Sequence, residues 1–287
     1  MPQPTHFHHP EGGRSITYFG NGSTPPPDTT IRNKAIRPGV YEINRSMSTG
    51  WIIQPVEIKR DGLIDLPESN SEMVLKEIDH FFTAGVKARY IKYNFLYRRG
   101  ILMYGDPGTG KTATVYKIID KVIAKGGVVF YNCEAEYIAP VVNRIHAIQP
   151  DVQILVIWEE FERYKRNTDV LQLLDGGKQL NNVVYLATTN YIDQIPPRLR
   201  NRPSRFARLV EVGPPSAEAR KAFLMNRIHP EDVDENVVDE IVLKTEGWVI
   251  DHLTEFIRSH YVVGMSQDEA ISNINKMNGL DSDPEPD

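Results

Sequence analysis

Residues 101–112 read ILMYGDPGTGKT. Four apolar residues of strand character lead into a glycine-rich turn and a lysine-threonine pair. Val115, Ile118, Ile119, Val122 and Ile123 then recur at i, i+3, i+4, i+7 and i+8, one stripe of a helix. Gly105-x-x-x-x-Gly110-Lys111-Thr112 between an apolar strand and an amphipathic helix is the setting of a phosphate-binding loop. Glycines let successive backbone N–H groups curl around phosphate oxygens, and a helix opening at the lysine points the positive end of its dipole at them. Gly105, Asp106, Pro107, Gly108, Thr109, Gly110, Lys111, Thr112 and Ala113 are therefore the expected nucleotide-binding residues. Lys111 is expected to reach the β and γ oxygens of ATP, and the Thr112 hydroxyl to face Mg²⁺.

Downstream, Val128–Tyr131, Ile154–Trp158 and Val183–Ala187 are apolar runs of strand length, with helical patterns at Val141–Ile148 and Asp169–Asp175 between them. Strands alternating with helices predict an α/β fold, a P-loop nucleotide-binding parallel sheet with helices on both faces. Hydrolysis needs a carboxylate near the metal and another to polarise the attacking water, both at the end of a buried strand. Leu155-Val-Ile-Trp158 followed by Glu159 and Glu160 supplies such an end, with Glu159 assigned to the magnesium shell and Glu160 to the water. A register one residue earlier would set Trp158 beside the metal, and an indole has no acceptor for Mg²⁺. The last of the three strands runs into Thr188-Thr189-Asn190, and Asn190 is the candidate for orienting the water or sensing the γ-phosphate. Arg198, Arg200, Arg202, Arg205 and Arg208 then crowd a proline-containing loop. A solvated loop, a nucleic-acid contact and arginine fingers for a neighbouring subunit's ATP all fit that composition.

Upstream, residues 1–34 hold six of the chain's 20 prolines and four glycines, too little apolar surface to offset ordering, so a flexible arm is expected. His6, His8 and His9 in it lack the carboxylate or cysteine frame of a metal site. Residues 35–68 form a short β-rich segment, and Glu68 to Ser71 supply helix-start chemistry for Met73–Phe82. The α/β domain is expected over 69–213. Past Pro214-Pro215 the pattern is wholly helical, with Ala217–Arg227, Val233–Lys244, Trp248–Val263 and Gln267–Met277 predicting a small α-helical lid over 214–277. Residues 278–287 read as an acidic disordered tail. Across 287 residues, 40% hydrophobic and 25% charged content exclude collagen-like and wholly disordered classes. The absence of a long apolar run argues against membrane insertion, and one cysteine, Cys133, is compatible with a reducing compartment, so a soluble cytoplasmic protein is expected. A net charge of -5 argues against a surface built throughout to neutralise phosphate backbones.

Together these motifs resemble those of the AAA family of ring-forming ATPases over about residues 68–265. TTNYIDQIPPRLRNRPSRF, residues 188–206, is similar to the family's second region of homology. The resemblance implies Asn190 at the sensor-1 position and Arg202 and Arg205 at the two arginine-finger positions. YNFLYRRGILMYGDPGTGKT and TDVLQLLDGG resemble in style the branch of mitochondrial translocases that move the folded Rieske iron-sulfur subunit, without that branch's membrane helix. Family members commonly carry Asp where this chain has Glu159, and Ser204 replaces the glycine of the RPGR-type motif. No aromatic-hydrophobic-glycine pore loop is found; Tyr137-Ile138-Ala139 comes nearest and reads as a tyrosine packed at a helix start. The resemblance implies an ATP-hydrolysing homo-oligomeric ring, most often a hexamer, that remodels, assembles or moves a protein client. Two rivals stay open: a nucleic-acid-associated loader or replication factor, and a nucleotide-gated structural ring with little turnover.

Overall fold

The computed structural model describes residues 5–8, 15–19, 35–46, 50–58, 66, 69–164 and 167–277. Its strands are β1 (Thr5–His8), β2 (Ser15–Phe19), β3 (Gly39–Ser46), β4 (Gly50–Pro55), β5 (Arg98–Tyr104), β6 (Val128–Tyr131), β7 (Ile154–Trp158), β8 (Val183–Thr189) and β9 (Arg208–Glu211). All nine lie in one sheet, in the order β1-β2-β4-β3-β6-β7-β8-β5-β9. From β3 to β9 every pairing is parallel, while β1, β2, β4 and β3 pair antiparallel. Parallel strands covered on both faces need apolar residues at every position, which is why β7 (ILVIW) and β8 (VVYLATT) are buried throughout.

Helices α1 (Ser69–Phe81), α2 (Ala84–Lys92), α3 (Lys111–Ala124), α4 (Ala135–His146), α5 (Thr168–Asp175) and α6 (Pro197–Arg200) accompany these strands. Successive strand residues point to opposite faces, so each strand feeds two cores. Phe130, Val156, Trp158 and Tyr185 pack with Ile138 and Val142 of α4 and Leu173 of α5. Val129, Leu155, Ile157 and Leu186 pack on the other face with Val74 and Ile78 of α1 and Val115, Ile118 and Ile119 of α3. A third core, with Phe223, Leu224, Ile241, Trp248, Leu253 and Phe256, belongs to α7 (Ala217–Arg227), α8 (Glu235–Lys244), α9 (Ile250–Ile257) and α10 (Gln267–Met277). Ser216 and Asp234 start α7 and α8 by accepting hydrogen bonds from the N–H groups of Ala219 (3.1 Å) and Asn236 (2.9 Å).

Several elements differ from their sequence reading. Within the expected arm, β1 and β2 pair with each other, and β2 pairs with β4; the rest of 1–34 and the tail from 278 lie outside the described residues. The β-rich segment is continuous with the main sheet, because β3 runs parallel to β6. Pro140 lies inside α4 rather than before it, since Ala135, Ile138 and Ala139 bury in the same core as Val141, Val142 and Ile145. The helix expected over Trp248–Val263 begins at Ile250 and passes into a π-helical turn at Arg258–Val262.

Candidate nucleotide-binding site

Parallel pairing brings the carboxyl ends of β5, β6, β7 and β8 to one edge of the sheet, where loops gather around the start of α3. In register, Tyr104 lies opposite Thr189, so Gly105 and Asn190 each follow the last paired residue of adjacent strands. A Cβ on Gly105 would stand 2.1 Å from the Val212 carbonyl oxygen, and its φ is +155°, so only glycine lets the loop leave β5 beside the end of β9. Lys111, buried at 7% exposure, curls back into the loop. Its Nζ donates to the carbonyls of Gly105 (2.8 Å) and Asp106 (2.7 Å). Burial lowers the Lys111 pKa, against the opposing pull of Asp106, Glu162, Asp251 and Glu159.

The acidic strand end divides its carboxylates among different partners. Glu159 Oε1 accepts from the Thr112 hydroxyl at 2.7 Å, tying the end of β7 to the first turn of α3, the helix that follows β5, across the intervening strand β8. Its Oε2 accepts from the Tyr131 hydroxyl, and its N–H donates to Asn132 Oδ1 at 2.8 Å. Glu160 takes a left-handed backbone (φ 51°) and pairs with Arg163. Glu162 accepts from the Thr189 hydroxyl at 2.6 Å. Trp158 stays on the opposite side, fully buried, its indole donating to the Cys133 carbonyl at 3.0 Å. The side chain that meets the Thr112 hydroxyl is thus that of Glu159, not of Trp158.

Two cavities flank the loop. One, about 290 Å³ and mostly polar, is lined by Lys111, Thr112, Glu159, Glu160, Arg163 and Asn190. The other, about 340 Å³, lies between the loop and the C-terminal helices, with Pro107, Ala113, Phe223, Ile250 and Asp251 in its wall. Lys111, Thr112 and Asn190 line both. The Ile250 N–H donates to the Gly108 carbonyl at 3.0 Å, joining α9 to the loop. A Thr hydroxyl and a carboxylate 2.7 Å apart are hard oxygen donors of the kind Mg²⁺ takes, so this chain's residues fit that ion.

Arg202 and Arg205 are not brought to these cavities. Both reach Asp175 at the end of α5, each at 3.4 Å. The Arg205 backbone lies against Gly100, whose Cβ, if present, would be 2.0 Å from the Arg205 carbonyl oxygen. Five residue steps along β5, roughly 16 Å, separate that point from Gly105. Arg205 instead helps line a third cavity of about 460 Å³ with Phe95, Leu96, Arg98 and Arg99. Tyr137, the nearest match to a pore loop, sits inside α4 and packs on Trp51 with ring centroids 4.8 Å apart.

Tyr131, Asn132, Glu162, Thr189 and Arg163 join the site without having been singled out from sequence. Glu162, two residues past the acidic pair, and Thr189, directly before Asn190, had a local signal. The others enter through strand order and the 3-10 turn Phe161–Tyr164. Among the described residues no helix is long and apolar enough to cross a membrane.

Residues 101–214 match the model of the ATPase family associated with various cellular activities (AAA). That interval carries the loop, the acidic strand end, Asn190 and both arginines. The ATPase family gene 2 protein of Schizosaccharomyces pombe is 33% identical over 172 residues, 52% of this chain and 20% of that protein. The Cell division cycle protein 48 homolog of Archaeoglobus fulgidus is 33% identical over 178 residues, 53% of this chain and 23% of the relative. The Proteasome-activating nucleotidase of Sulfurisphaera tokodaii is 31% identical over 172 residues, 52% and 44% of the two chains. The matched part of the chain thus spans less than half the length of each of these relatives.

Proposed function

With an AAA domain at residues 101–214 as the premise, we propose that the chain binds ATP with Mg²⁺ and hydrolyses it. We propose further that it works as a homo-oligomeric ring, a hexamer on family precedent, that remodels, assembles or moves a protein client. The observation that carries this reading is the contact of Thr112 with Glu159, beside Lys111 and at the polar cavity that Glu160 and Asn190 also line. Gly105 to Ala113 would hold the phosphates, with Lys111 Nζ exchanging its loop carbonyls for phosphate oxygens. Thr112 and Glu159 would hold Mg²⁺, which when bound neutralises phosphate charge. Glu160, turned into the cavity, would accept the proton of the attacking water, and Asn190 would orient that water. The helices of 214–277 would act as a lid, since α9 already bonds the loop through Ile250 and Gly108.

Arg202 and Arg205 support assembly because they lie far from their own chain's loop. Fingers set so would act on a neighbour's nucleotide, stabilising charge that develops in the transition state. Phe95, 69% exposed, and Leu96, at 46%, line the third cavity, and with the exposed Ile91 and Tyr93 just before them in the chain they give a second copy an apolar surface to cover.

Steady-state ATP turnover against protein concentration, with mass measured alongside, tests the reading. Activity should rise cooperatively as the assembly forms, and Lys111→Ala should abolish nucleotide binding. Tight ATP binding by Lys111→Ala would remove the site. Full activity from a monomer would remove the ring, and assembly with almost no turnover would favour a nucleotide-gated structural role.

A further inference from the structure

Glutamate at the metal-side position brings one more methylene, and one more rotatable bond, than aspartate would. An unrestrained carboxylate there loses orientation, and ordering it costs side-chain entropy. In this chain, the last residue of β6 and the one after it grip Glu159 from both ends. The Tyr131 hydroxyl donates to Oε2, and the Asn132 side chain accepts the Glu159 N–H at 2.8 Å. Oε1 is thereby left to Thr112, at 2.7 Å.

We propose that Tyr131 and Asn132 are positioning residues that hold Glu159 against Thr112 and so set the affinity of the nucleotide site for its divalent cation. The inference rests on the ATP and Mg²⁺ reading above. Both residues are rigidly carried. Tyr131 pairs with Ile157 in the parallel ladder, and its ring is partly buried against the core that contains α3. Asn132 takes a left-handed conformation (φ 51°), and its N–H continues the ladder one step by bonding the Ile157 carbonyl at 2.8 Å. Outer-shell donors of this kind orient carboxylate ligands and commonly govern metal affinity by about 10- to 100-fold.

The experiment compares wild type, Tyr131→Phe and Asn132→Gly as full chains, with Mn²⁺ as the paramagnetic probe. Mn²⁺ is titrated into protein saturated with ADP, and ADP affinity is measured separately in chelator. Tyr131→Phe deletes one oxygen; Asn132→Gly keeps access to the left-handed backbone and deletes the other handle. Both should weaken Mn²⁺ binding, Tyr131→Phe by about tenfold, while metal-free ADP affinity holds. Turnover by Tyr131→Phe should recover toward wild type as Mg²⁺ is raised. If either variant bound Mn²⁺ as tightly as wild type or more tightly, the positioning role would fall, the latter result marking a competitor for Glu159. An equal loss of metal-free ADP affinity would also overturn it, in favour of a general structural role. A wild-type protein showing no Mn²⁺ site beyond free Mn-ADP would instead overturn the nucleotide reading itself, and these outcomes are separable in one titration series.

Discussion

At single residues, some groups are fixed by packing and others are free to move. Gly100 is fixed: an alanine methyl would overlap the backbone carbonyl of Arg205, not a side chain that could swing away. Gly100→Ala should therefore cost about 2 kcal/mol or more, read as a lowered midpoint in calorimetry. An unchanged midpoint would mean that the Arg205 segment yields easily. Glu160 is of the other kind, about half exposed and paired with the still more exposed Arg163. Such a pair contributes roughly 0 to 1 kcal/mol, so releasing Glu160 toward a water costs little. Glu160→Gln should keep ATP binding and cut single-turnover hydrolysis by about a hundredfold or more. If Glu159→Gln or Glu162→Gln did this instead with binding intact, the division of labour among the three acids would need redrawing.

Among elements, those legible in the sequence bury a regular face, and those missed bury almost nothing or depend on distant partners. β6 and β7 run over the apolar stretches read as strands, and α7 and α10 over the expected helices. By contrast α2 buries only Val86 and β9 only Val210, leaving little periodicity to read. The pairing of β3 with β6 joins residues 39–41 to 128–130, a long-range match no local pattern announces. The site divides the same way. The phosphate loop is contiguous and was legible, whereas Tyr131 and Asn132 meet Glu159 only because β6 and β7 are neighbours. The lid contact is another such meeting, and it places Asp251, at the start of α9, against Gly108 in the wall of the 340 Å³ cavity. A carboxylate there repels incoming phosphates while attracting Lys111. Asp251→Asn should bind a fluorescent ATP analogue a few-fold more tightly at low ionic strength, with the gain shrinking as salt screens the charge. Equal affinities at low salt would put Asp251 out of electrostatic reach of the phosphates.

At the scale of the whole molecule, the loop and the two arginines lie toward opposite ends of β5, and that separation makes the proposed requirement for a neighbour testable. Lys111→Ala removes a subunit's nucleotide site and leaves its arginines; Arg205→Ala removes an arginine and leaves the nucleotide site. Because the Arg205 side chain is 11% exposed and paired with Asp175, its loss will also loosen the loop that follows α6, so low activity of Arg205→Ala alone decides nothing. Mixing the two inactive variants does decide. If fingers act in trans, an intact nucleotide site of an Arg205→Ala subunit can face the intact arginine of a Lys111→Ala subunit, and turnover should reappear. Recovery should peak at comparable amounts of the two, where such junctions are most frequent, and vanish when either is absent. Arginine acting within its own chain, or serving only to brace Asp175, leaves the mixture as inactive as its components, provided that mass measurement shows both variants in the same assemblies.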